Sequence, residues 1–214
     1  MMKHIIVVLA LLIGSIGFSQ DSKKAEVLLN DVYSKAQAYE NISVDFKYVL
    51  ENVSEDIKQE TRGDVVMKDG KYLLNILGVT RLFDGNKLYT ISPEDEEVTI
   101  SSDNSEDENS ITPSKMMSFY KEGYIYEMGT VQDIKGRKIQ FVKLNPIDTN
   151  SEIKEIFLGI DAKTKHIYKL IEVGENGTKT TLTVNSFKTN EPISKTLFTF
   201  DENKYKDYYI NKLD

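Results

Sequence analysis

Few groups in this chain could do chemistry. It has no cysteine, no tryptophan and two histidines, His4 and His166, against 34 Asp and Glu in 214 residues. Without Cys there is no thiol nucleophile, no thiolate-bound metal and no structural disulfide. His4 falls in the leader described below, which leaves His166 as the one imidazole of the remaining chain. A zinc site built on several histidines is therefore excluded, and a Ser-His-Asp triad would have to rest on His166 alone. No Gly-x-Ser-x-Gly elbow, Gly-rich phosphate loop or dinucleotide fingerprint occurs. His166 follows a turn and reads as an exposed turn-edge residue. A carboxylate pair of the glycoside-cleaving kind remains open, but the acids gather in loops without surrounding aromatics, and no Trp is present to stack a sugar. The acidic run from Asp103 to Ser114 resembles a calcium loop at Asp103, Ser105 and Asp107. It fails at Glu108, where Gly is needed, and at Ser114, where Glu is needed, so it reads as a solvated loop. The expectation is a protein that is not an enzyme and holds no cofactor or metal.

The overall charge narrows the partners. Lys and Arg number 27, for a net charge of −7. An acidic chain without a basic run is unsuited to nucleic acid and to adhesion on an anionic membrane by charge. At 40% hydrophobic residues, the length suits one domain with a sizeable core. Residues 1–19 read as a secretory signal: Lys3 and His4, then an apolar run from Ile5 to Ile13 too short to span a bilayer, then small residues ahead of cleavage near Ser19-Gln20. Residues 20–214 are the expected mature domain, exported after cleavage.

The elements that would position any site are mostly strands. Asp21-Ser22 suits the cap of a helix starting near Lys23. Ala25, Leu28, Leu29, Val32, Ala36 and Tyr39 recur at helical spacing, as a helix packed on a core requires. Ile42, Val44, Phe46, Tyr48 and Leu50 alternate with polar residues, the pattern of a half-buried strand. Asp84-Gly85-Asn86-Lys87, between Leu82-Phe83 and Leu88 to Ile91, is a strong hairpin signal, and Ser92-Pro93 ends its second strand. Thr61 to Lys68, Tyr72 to Leu77 and Val98 to Ile100 continue the series. After Pro113, so do Tyr124 to Ile134, Lys138 to Leu144, Ile153 to Ile160, His166 to Val173 and Thr178 to Phe187. Thr112-Pro113 opens a second helix through Met116, Met117, Phe119 and Tyr120 to Gly123. The chain thus reads as one long antiparallel meander with two amphipathic helices. Its strands carry more apolar surface than water would allow. A sheet that curls without closing leaves a concave apolar face, suited to an apolar ligand.

The segments Ala25 to Tyr39, Tyr39-Glu-Asn-Ile42, Val44-Asp-Phe-Lys-Tyr48, Arg62-Gly-Asp-Val-Val-Met-Lys68, Asp84 to Pro93 and Phe198-Thr-Phe200 resemble, in that order, outer-membrane lipoprotein carrier proteins of the LolA type. The resemblance implies a mainly β fold with α: an unclosed antiparallel β half-barrel covered by helices acting as a lid. It also implies a hydrophobic cavity for the acyl chains of lipoproteins. Such a monomeric carrier takes them from an inner-membrane ABC transporter to an outer-membrane acceptor, without cofactor or covalent chemistry. The family often carries Arg-Pro after the third element, and that Arg helps hold the lid shut. Here Met67-Lys68 is followed by Asp69-Gly70, leaving Arg62 or Arg81 as substitutes.

On this basis Val44, Phe46, Tyr48, Met67, Leu74, Ile76, Leu88, Tyr126, Phe141, Leu158 and Leu182 are expected on the concave face, with Met116, Met117 and Phe119 on the lid. Two rivals remain: a periplasmic sensor or regulatory half-barrel that binds a protein or apolar ligand, and a carboxylate-based hydrolase.

Overall fold

The computed structural model describes residues 21–102 and 112–213. The signal expected at 1–19 and most of the calcium-loop comparison lie outside the described residues. Residues 21–37 form helix α1. Strands follow at β1 (Ile42–Asn52), β2 (Ile57–Lys68), β3 (Lys71–Ile76), β4 (Val79–Phe83), β5 (Lys87–Ser92) and β6 (Glu97–Ser102). A short helix α2 (Pro113–Met116) precedes β7 (Tyr124–Ile134), β8 (Arg137–Pro146), β9 (Ile153–Asp161), β10 (Ile167–Gly174), β11 (Lys179–Thr189) and β12 (Tyr209–Leu213).

All twelve strands join one sheet in the order β12-β6-β5-β4-β3-β2-β1-β11-β10-β9-β8-β7. The single meander expected from the sequence is in fact two. β1–β6 and β7–β11 each run in sequence order, and antiparallel pairing of β1 with β11 joins them. β12 adds to β6 in parallel, a pairing no local pattern announced. β7 and β12 are the two edges, so the sheet is unclosed.

The turns follow their own chemistry. Asp84 Oδ1 accepts from the amides of Asn86 and Lys87, each at 2.8 Å, and Gly85 takes φ +98°. The two-residue turns Asp69-Gly70 and Lys135-Gly136 have positive φ at both residues, the geometry that matches strand twist.

Helix α1 lays Ala25, Leu29 and Val32 on Val142, Leu144, Ile156 and Leu158, all buried. The helix is already formed at Asp21 and Ser22, so these residues do not cap a start at Lys23, and Asp21 pairs instead with Lys24 at 3.2 Å. A second core gathers Ile42, Val44, Phe46, Val65, Tyr72 and Leu88, with Ala36, Tyr39 and Met117 packed against it. The other face of the sheet is covered too. Leu82, Ile91 and Val98 are buried there, and Phe200 stacks on Tyr89, the cross-strand partner of Leu82, at 4.4 Å.

The second helix is shorter than its sequence suggests. Thr112 caps it, accepting from the Lys115 amide at 3.2 Å, and Pro113 occupies the first turn. After one turn, however, Ser118 leaves helical geometry, and Phe119–Lys121 form a 3-10 turn that buries Tyr120. A one-turn helix has almost no intrinsic stability, so packing of Tyr120 decides the path of this segment.

Candidate functional site

The sheet face that carries α1 and α2 contains an apolar cavity of about 210 Å³. Its floor is built by register. Val44, Phe46 and Tyr48 of β1 pair with Val65, Gly63 and Thr61 of β2 and with Phe187, Val184 and Leu182 of β11. Leu74 and Ile76 extend the floor, Ile167 and Leu170 flank it, and Pro113, Met116 and Met117 face it from α2 and the residue after it.

Of the residues singled out from the sequence, the cavity brings together Val44, Phe46, Tyr48, Met67, Leu74, Ile76, Leu182, Met116 and Met117. Leu88 lies in the core beside it. Leu158 and Tyr126 belong to the core beneath α1, and the Tyr126 hydroxyl donates to the carbonyls of Tyr120 and Lys121 at 2.9 and 2.8 Å. Phe119 packs on that core as well and contacts Tyr120 and Tyr124 edge-on. Phe141 is on the opposite face, clustered with Ile139 and Tyr168. β8 is apolar on both sides, so alternation alone could not say which of Phe141 and Val142 faces inward.

One wall depends on a missing side chain. Phe46 is opposite Gly63, and a Cβ built on Gly63 would fall 2.6 Å from Phe46 Cζ and 2.6 Å from the Asn75 carbonyl oxygen. The phenyl ring can tilt away, but the backbone carbonyl cannot. Gly63→Ala is expected to cost about 1–3 kcal/mol, read as a lower thermal midpoint.

At the foot of the site, the link between α1 and β1 is pinned to the sheet. Tyr39 Oη and His166 Nε2 are 2.8 Å apart, and His166 stacks on the cavity residue Phe187 at 4.0 Å. His166 is therefore half-buried rather than an exposed turn-edge residue. Its partner Tyr39 is 127 positions away and left no local signal. Burial, then the nearby Lys35 charge, holds its pKa below the ordinary 6.5, with Asp161 pulling weakly the other way. Below about pH 6.5 the unfolded chain thus takes up a proton that the folded chain resists. Stability is unaffected above that pH and falls as the medium is acidified below it. Thermal midpoints between about pH 7.5 and about pH 5 should show this fall, and His166→Gln should flatten it.

Asn41, buried at 4% exposure, makes the second fastening, which sequence reasoning missed. Its side-chain amide donates to the Glu191 carbonyl at 3.0 Å, and its Oδ1 accepts from the Glu191 amide at 3.2 Å. Asn190 returns the contact, its Oδ1 accepting from the Glu40 amide at 2.8 Å. Of the two arginines that could stand in for the family's, Arg81 shares the cavity-side face with Leu74. Arg62 pairs with Lys47 on the other face. Asp69, where the resemblance would put the family Arg, sits in a tight turn with φ 52°. No group of three or more His, Asp or Glu able to hold a metal occurs among the described residues. No described helix is long and apolar enough to cross a membrane.

The family model described as outer membrane lipoprotein carrier protein LolA matches residues 37–201. No curated protein matches the chain. Among solved structures, an uncharacterized conserved protein from Thermus thermophilus is similar at TM-score 0.61 and 10% identity, over 89% of this chain and 99% of that one. LprF from Mycobacterium bovis follows at TM-score 0.52 and 12% identity, over 80% and 95%. A LolA superfamily protein from Nitrosomonas europaea aligns at TM-score 0.44 and 12% identity, over 83% and 98%. At such identities the likeness is one of fold.

Proposed function

Because the chain belongs to the outer membrane lipoprotein carrier family LolA, we propose that it is a periplasmic carrier which holds lipoprotein acyl chains in the cavity between the sheet and α2. On this reading the sheet is a half-barrel, and α1 with the segment 112–123 is its lid. The carrier receives cargo from an inner-membrane ABC transporter and releases it to an outer-membrane acceptor. No catalytic step is involved.

The observation that carries the reading is the cavity of about 210 Å³ walled by aliphatic, aromatic and methionine side chains. Ordinary ligand pockets span roughly 300–1,000 Å³, so this hollow admits part of an acyl chain and must widen for the rest. The mobile part is the segment with Met116 and Met117, whose unbranched thioethers can follow a changing apolar shape. Each methylene taken from water contributes about 0.8 kcal/mol. Some of that gain is spent in opening the lid, which leaves a moderate affinity and allows release.

The test is to purify the protein from its native compartment, identify co-purifying lipid, and measure displacement of an environment-sensitive fatty-acid probe by palmitate. Saturable displacement supports the carrier. Absence of both lipid and displacement, together with stable capture of a membrane-bound regulator, would replace it with the sensor reading.

A further inference from the structure

We propose that the free edge of β2, residues 57–62, docks an extended polypeptide, and that this polypeptide is the segment attached to the acyl-bearing end of the cargo. The identity of the occupant rests on the carrier reading above; the free edge does not.

β2 pairs with β1 from Ile57↔Asn52 to Met67↔Ile42. With β3 it pairs only from Gly63↔Ile76 to Lys68↔Lys71. β3 stops there because Leu77 and Gly78 turn the chain back into β4, both with positive φ. The β1–β2 hairpin therefore runs six residues past its neighbour, about 20 Å at the rise of an antiparallel strand. Its β1 side is covered by β11, up to Glu51↔Lys179. Its β2 side has no neighbouring strand among the described residues, and five of the six residues are exposed. Alternate residues of such an edge direct their N–H and C=O groups outward, which is the template for strand addition.

Natural edges are often guarded by charge. Here the guard is neutralised from within the hairpin. Lys58 pairs with Glu51 at 2.9 Å, and Glu60 pairs with Lys47 at 2.7 Å. The notch above the β3–β4 turn is a polar groove of about 760 Å³, lined by Thr61, Arg62, Gly63, Asn75 and Thr80 among others. That volume suits a stretch of main chain with its side chains. Most of the groove's lining, Asp45, Arg62, Asp64, Asn75 and Thr80, comes from the sheet face opposite the apolar cavity, and Phe46 and Ile76 line both spaces at the notch where β3 ends. A ligand with a hydrocarbon end and a polypeptide end matches the two spaces in sequence. A free fatty acid would use only one of them.

The test compares four probes by displacement of a bound fluorescent fatty acid, namely palmitate, an N-palmitoyl octapeptide, and two versions of that peptide N-methylated at odd or at even amides, and adds the unacylated octapeptide in hydrogen exchange. Strand addition uses the amides of one parity only. The acyl peptide should bind about ten- to a hundredfold more tightly than palmitate, the worth of two or three main-chain hydrogen bonds. One methylated peptide should lose that gain and the other keep it. Hydrogen exchange should show new protection at alternate amides of residues 57–62. Equal affinity of all four probes overturns the proposal, as does equal loss in both methylated peptides. So does protection of the same amides without peptide, through self-association of two copies. If palmitate fails to bind while the unacylated octapeptide protects residues 57–62, the edge stands and the carrier reading falls. If palmitate binds and the peptide adds nothing, the carrier stands and the edge falls.

Discussion

Val184→Trp is expected to weaken palmitate binding about two hundredfold while moving the thermal midpoint by only a few degrees. Val184 pairs with Phe46 across β1–β11 and lines the cavity. It is half-buried, so a larger side chain there grows into open space rather than into packed neighbours. An indole would take much of the roughly 210 Å³ available. Excluding about four methylenes of the ligand forfeits about 3 kcal/mol at 0.8 kcal/mol each. The fold loses little, because cavity filling does not force packed atoms apart.

The choice of residue matters. Phe46 is the more obvious target, since a charge there would spoil any greasy wall. But Phe46 is only 5% exposed and its ring lies against Gly63. A carboxylate in that place costs several kcal/mol unless paired, so lost binding in Phe46→Asp would not separate an emptied site from a damaged fold. Val184→Trp keeps the two apart. Undiminished palmitate binding, measured by probe displacement beside a thermal melt, would show that the acyl chain is not held here.

What the sequence made legible was local. The Asp84-Gly85 hairpin, the Thr112-Pro113 helix start and the alternation of β1 from Ile42 to Phe46 each depend on a few adjacent residues, and each has the expected form. The cavity floor on β1 could be read because that strand turns an apolar side to the helices and a polar side away from them. Where both faces are covered, the signal divides. Ile139 and Phe141 are buried on one face and Val142 and Leu144 on the other, and a period of two cannot choose between them. Long-range pairings carried no signal at all. β12 joins β6 in parallel, Asn41 clasps Glu191 from 150 positions away, and His166 meets Tyr39 across the sheet. Family resemblance, carried by short motifs in order, supplied the single unclosed sheet that composition could not, and the matched span 37–201 covers most of those motifs.

Leu158→Ala is expected to cost about 2–5 kcal/mol of stability yet leave palmitate affinity within about twofold per folded molecule. Alternation alone places Leu158 on the same inward face as the cavity floor, and register agrees: it pairs with Val142 and Leu170. The difference lies in what covers it. Leu158 has no exposed surface and sits in the core that receives Ala25, Leu29 and Val32 of α1. The cavity opens farther along the same face, over β1, β2 and β11, where α2 is the cover. Truncation at Leu158 therefore leaves a void under a firmly packed helix that cannot collapse, and the loss is one of folding. For a domain of this size, each kcal/mol lowers the midpoint by about 2–4 °C, so a fall of about 4–20 °C is the expected reading. A net stability of about 10 kcal/mol, the middle of the usual range, leaves nearly all molecules folded at room temperature after such a loss, so affinity can be measured there. If binding instead falls in step with stability, the two cores act as one. The acyl chain would then reach beneath α1, and opening would have to lift the long helix rather than the short one.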